Sequence, residues 1–102
     1  MGNHVKALSV KDLPPGRMIT VHVEKKGILF ANLDGKIYAV SSSCTHEEAD
    51  LSEGTLIGHN VVCPFHQSEF DLRTGEVLNR PAEHPLRTYS VSIEDEGIFV
   101  EV

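Results

Sequence analysis

The chain has 102 residues, of which 40% are hydrophobic and 24% charged, and a net charge of −6 at pH 7. That length holds one domain with a core of its own, spanning residues 1–102. The acidic balance excludes nucleic acid and an anionic membrane face, both of which would repel it.

In chain order the apolar pattern mostly alternates, and no stretch shows a helical period. Val5 to Val10 predicts a first strand, broken by the Lys11 to Gly16 turn with Pro14 and Pro15. Met18 to Val23 predicts a second. Gly27 to Leu33 and Lys36 to Val40 flank Asp34-Gly35, a hairpin signal because Gly tolerates the positive backbone angle of a tight turn. Ser41 to Gly54 is polar and reads as a loop. Thr55 to Val62, interrupted by Gly58-His59-Asn60, reads as two short strands around a turn, and Cys63 to Gln67 as a second loop. Glu69 to Leu72 and Glu76 to Leu78 flank Arg73-Thr74-Gly75, another hairpin. Pro81 to Pro85 is a rigid loop. Tyr89, Val91 and Ile93 alternate with Ser90 and Ser92 as a half-buried strand. Glu94 to Gly97 turns the chain, and Ile98 to Val102 closes it. Many short strands between Gly and Pro turns predict an all-β antiparallel sandwich or small barrel.

The chemistry lies in two loops. Cys44-Thr45-His46 and Cys63-Pro64-Phe65-His66 each supply one thiolate and one imidazole, and they contain the only two cysteines of the chain. A disulfide is the simple reading of two cysteines, but the nearby histidines favour a metal. Two sulfurs and two nitrogens fit a tetrahedral zinc ion. They also fit a [2Fe–2S] cluster with both cysteines on one iron and both histidines on the other. Cys-x-His in a tight loop converges poorly on one small ion and better on two metals a few ångström apart, whereas zinc knuckles usually open with Cys-x2–4-Cys. Spacing therefore favours the cluster and leaves zinc open.

These residues, with Leu51-Ser52-Glu53-Gly54, Phe70-Asp71, Thr74-Gly75-Glu76 and the Pro81-Ala82 to Pro85-Leu86 segment, resemble a Rieske ferredoxin over nearly the whole chain. The resemblance is to the small ferredoxins of bacterial ring-hydroxylating dioxygenase systems. It implies that Cys44 and Cys63 bind the inner iron and His46 and His66 the outer, surface-near one. It also implies a Rieske fold with a small cluster-binding β subdomain at about 41–82. Where the high-potential membrane branch of the family carries an extra cysteine in each loop, this chain has Ala49 and Phe65. Ser68 matches that branch's serine donor to sulfur, and Phe70 stands where its tyrosine would be. Fewer hydrogen bonds to sulfur lower the potential, which is expected in the lower Rieske range, roughly −150 mV to about 0 mV. Glu47, Glu48, Asp50, Glu53, Glu69 and Asp71 surround the loops with charge that opposes an added electron and could help docking.

The resemblance further implies an electron carrier rather than an enzyme. It would be served by a flavin-containing reductase fed by NAD(P)H, and would deliver to a terminal oxygenase. Alternative readings are a small Rieske subunit of a reductase such as nitrite reductase, or a zinc-stabilised module without redox chemistry. The outer N–H of each histidine ligand would be lost more readily from the oxidised cluster, so the potential should fall at alkaline pH. Pro64 reads as stiffening the second loop. Gly54, Gly58 and Gly75 read as turn formers, and His4, His22, His59 and His84 as surface residues. No membrane-length apolar run, no secretory signal and Lys6 in place of a myristoylation Ser or Thr lead to an expected cytoplasmic location.

Overall fold

The segment that starts at Gly27 is apolar at nearly every position, so a strand built from it must be covered on both faces. In the computed structural model that coverage organises the molecule. The structure describes residues 3–43, 50–64, 68–79 and 84–102. Its strands, in chain order, are β1 (His4–Ser9), β2 (Met18–Val23), β3 (Lys26–Leu33), β4 (Lys36–Ser41), β5 (Thr55–Ile57), β6 (Asn60–Val62), β7 (Glu69–Asp71), β8 (Val77–Asn79), β9 (Thr88–Tyr89), β10 (Val91–Glu94) and β11 (Gly97–Glu101). They form three sheets, ordered β1-β11-β10, β2-β3-β4-β9 and β5-β6-β7-β8. All pairings are antiparallel.

Strand β3 lies in the second of these sheets and feeds two cores by its alternation. Ile28 and Phe30 join Leu13, Ala39, Ile98 and Val100 in a core shared with the sheet of the chain ends. Leu29 and Ala31 join Val40, Val61, Phe70 and Leu72 in a core shared with the small sheet β5–β8. Each buried Val, Leu, Ile or Phe side chain among them contributes about 1.5–3 kcal/mol relative to exposure. The small sheet has strands of only three residues. It is held by one inward row in register, Leu56 opposite Val61, Val61 opposite Phe70, and Phe70 opposite Val77.

The Asp34-Gly35 hairpin forms as expected, with φ of 56° and 95° at the two turn residues. A second two-residue turn, Glu24-Lys25, has φ of 50° and 69° without a glycine and joins β2 to β3. Nothing in a Glu-Lys dipeptide signals a turn. Its left-handed strain, about 1–2 kcal/mol per residue, is offset by six paired positions on the strands it connects.

Two expectations are corrected. Val10 does not extend the first strand but opens a short 3-10 turn, Val10–Asp12, where the Leu13 N–H donates to the Val10 carbonyl and the Ser9 N–H to the Asp12 carboxylate. The segment around Tyr89 is two strands in two sheets: Tyr89 pairs with β4, Val91 with β11, and Ser90 is the crossing point. Ile93 lies on the edge strand β10, 51% exposed, so the half-buried alternation stops at Val91.

Candidate metal centre

Both Cys/His loops are closed at their necks. At the first, Ser43 and Asp50 form an antiparallel bridge, and the Leu51 N–H donates to the Ser42 carbonyl at 2.7 Å. At the second, the Cys63 N–H donates to the Ser68 carbonyl at 2.7 Å, extending the β6–β7 ladder by one rung. Leu51 from the first neck, Cys63 from the second and Leu86 after the proline loop are all buried in one core. Leu86 is anchored by its N–H to the Gly75 carbonyl at 2.8 Å. Three separate loop stems are thus set by a single packed cluster.

Gly54 connects the two necks. Its φ of −85° is open to any residue, so it is not the turn former expected from the sequence. A Cβ there would lie 2.0 Å from the Val62 carbonyl oxygen, next to Cys63, and only glycine lets the chains approach so closely. Gly58, with φ +59° and open space around its Cα, does fit the turn-forming role.

Asp50 caps the short helical turn Leu51–Glu53. Its Oδ1 accepts hydrogen bonds from the Thr20 hydroxyl at 2.7 Å, the Ser52 N–H at 2.9 Å and the Ser52 hydroxyl at 2.8 Å. Burial pushes the Asp50 carboxyl up, but these bonds outweigh it and hold the group below the ordinary carboxylate range. Asp71, at the end of β7, accepts from the Arg73 guanidinium through both oxygens and from the Arg73 N–H. The Arg73 side chain is the main cause that holds its carboxyl low, against burial. The Glu69 carboxylate accepts from the Asn60 amide at 2.6 Å. These three carboxylates, expected as part of an acidic surround, are therefore each engaged by partners within the chain.

A carboxyl with a lowered folded pKa stabilises the fold above its unfolded value, near 4, and loses that contribution as pH falls through the folded value. The thermal midpoint should accordingly fall as the pH drops below about 4. An Asp71→Asn protein should show a shallower fall over that window. Equal slopes for the two proteins would remove Asp71 from the explanation.

Of the expected site residues, the structure describes Cys63, Pro64 and Ser68. Cys63 is 2% exposed and Ser68 fully buried, while Pro64 is exposed. Phe70, in the place of the tyrosine, is fully buried in the same core as Cys63. Cys44, His46 and His66 lie outside the described residues, as do Ala49, Phe65, Pro81 and Ala82. Among the described residues no group of three or more His, Cys, Asp or Glu side chains is placed to hold a metal. Cys63 by itself fits a sulfur ligand of an iron cluster: it sits at a pinned loop neck, in an apolar core where a thiolate is stable only if a cation neutralises it. The residues that sequence reading missed are Thr20 and the Gly54–Val62 contact. Asp50-x-Ser52 carries a capping signal, but its partner Thr20 is distant in sequence and has no local signature.

An antiparallel β domain with a buried cysteine at a pinned loop neck fits a metal-binding module of the iron–sulfur type. The chain belongs to the Rieske [2Fe-2S] domain family, whose model matches residues 3–90. The ferredoxin component of a naphthalene 1,2-dioxygenase system from Pseudomonas aeruginosa is 35% identical over 98 residues, 96% of this chain and 94% of the relative. The solved ferredoxin of Sphingomonas yanoikuyae B1 has a TM-score of 0.93 at 32% identity, covering 98% of this chain and 99% of that one. A chain in a solved complex of reduced oxygenase and oxidised ferredoxin of carbazole 1,9a-dioxygenase has a TM-score of 0.90 at 31% identity, covering 96% and 92%. The all-β Rieske fold read from the sequence is borne out, and the cofactor is a [2Fe–2S] cluster.

Proposed function

We propose that this protein is a one-electron carrier that takes electrons from an NAD(P)H-dependent, flavin-containing reductase and delivers them to a terminal oxygenase. It transforms no substrate of its own. The match to the Rieske family over residues 3–90, with ferredoxin components of dioxygenase systems among its relatives, carries this reading. The proposal includes a cytoplasmic location. Among the described residues no helix is long and apolar enough to cross a membrane.

In this reading Cys44 and Cys63 hold one iron, and His46 and His66 the other, within a cluster-binding unit at about 41–82 of a single domain. When bound, the cluster accepts and releases one electron. Cys63 supplies its thiolate from a buried position that keeps water away. Ser68, buried at the same neck, is the hydroxyl donor toward sulfur. Pro64 stiffens the loop that follows Cys63. His46 and His66 would each bind through one ring nitrogen and keep an N–H on the other, which would offer their edge as the electron exit.

The test is electron paramagnetic resonance of the dithionite-reduced protein together with metal and sulfide analysis. The expected result is iron and inorganic sulfide in equal amounts, with an average g value below that of four-cysteine clusters. A colourless protein that carries zinc and no iron would overturn the proposal in favour of a non-redox module.

A further inference from the structure

We propose that Thr20 and Asp50 form a clasp that sets the position of the first cluster-binding loop, which makes Thr20 a positioning residue. The inference rests on the reading of Cys44 and His46 as ligands. Six residues, 44–49, separate Ser43 from Asp50. A loop of that length keeps its entropy unless both ends are fixed. The Ser52 bonds to Asp50 are local and only shape the turn that follows. The Thr20 hydroxyl is different, because it comes from strand β2, 30 residues away in sequence.

Thr20 stands opposite Leu29 on β2 and so lies on the face of the sheet that meets the core containing Leu51 and Cys63. Strand β2 is the edge of its sheet, so among the described residues no further strand pairs beyond it to support the neck. The bond at 2.7 Å therefore ties the first loop to the packed body that already carries the Cys63 neck. Groups that hydrogen-bond metal ligands govern metal retention and electronic tuning, and the clasp acts one step further out, on the chain that bears two of them. Ligand geometry between the two loops is thus set partly through one hydroxyl.

The experiment compares holoprotein variants by the rate of iron release to a chelator and by reduction potential. Each rate is measured at the same temperature interval below that protein's own unfolding midpoint. Thr20→Val removes the hydroxyl and is expected to release iron roughly tenfold faster than wild type, the scale of one lost hydrogen bond to a charged group. It should also shift the potential. Thr20→Ser restores the donor and should behave as wild type. Asp50→Asn keeps an acceptor oxygen and should keep the slow release while raising the potential, since a negative charge is lost. Val5→Ala, in the other core, controls for stability alone and should match wild type in both readouts. The clasp is overturned if Thr20→Val releases iron at the wild-type rate, or if Val5→Ala releases it as fast as Thr20→Val. Failure of the underlying ligand reading looks different: a Cys44→Ala holoprotein would then keep its full iron content.

Discussion

A Cys63→Ala protein is expected to fold and to bind no [2Fe–2S] cluster. The two halves of this expectation have separate physical grounds. The fold rests on two apolar cores, to which Cys63 contributes one small side chain among nine buried residues of its cluster. Removing its sulfur leaves a cavity of about one atom, with a cost of about 1 kcal/mol. The cluster, in contrast, would lose one of the two thiolates of the proposed ligand set, and alanine offers no donor. Cluster binding also adds to the stability of the folded state by mass action. The variant should therefore unfold at a lower temperature than the holoprotein, with unchanged β-type far-ultraviolet circular dichroism. Visible absorption and iron content should both fall to background. Full iron content in a folded Cys63→Ala protein would remove this residue from the ligand set.

The second large effect is expected from Gly54→Ala. The new methyl group would be placed 2.0 Å from the Val62 carbonyl oxygen, 3.1 Å from the Val62 carbonyl carbon and 3.2 Å from the Leu51 carbonyl oxygen. All three are backbone atoms, so no side-chain rotation relieves the overlap. The neck of the first loop must move away from β6, which disturbs the core that both necks share. Forced overpacking of this kind costs about 3 kcal/mol. In a domain of this size that lowers the thermal midpoint by roughly 12–24 °C. Gly58→Ala provides the contrast. No atom lies within 4 Å of a Cβ there, and only the left-handed backbone is unfavourable, at about 1–2 kcal/mol. Calorimetry of the two variants should rank Gly54→Ala as clearly the less stable. The reverse order would show that the approach of the two necks is loose.

Much of this molecule is decided locally and can be read from its sequence. Alternation of apolar residues sets the strands, because side chains on a strand alternate between faces whatever lies opposite. Asp34-Gly35 sets its hairpin, because few other pairs take two positive φ angles at low cost. The spacing of Cys44, His46, Cys63 and His66 favours an iron–sulfur cluster over a single zinc ion, and the motifs around them carry the resemblance to the family.

Other features depend on which surfaces meet, and only the tertiary structure decides them. The Glu24-Lys25 turn is strained by its own preferences and persists because β2 and β3 pair along their length. The chain changes sheets at Ser90 within a stretch whose pattern predicts one strand. Gly54 is required by a carbonyl eight residues ahead, across a close approach that no local preference announces. Asp50 is engaged by a hydroxyl from β2, distant in sequence, rather than left as a free docking charge. Local preferences act over a few bonds, whereas these contacts are fixed by the packing of whole sheets against a common core. The sequence by itself therefore determined the strands and the metal-binding motif, and the packed sheets decided how the necks of the two loops are held together.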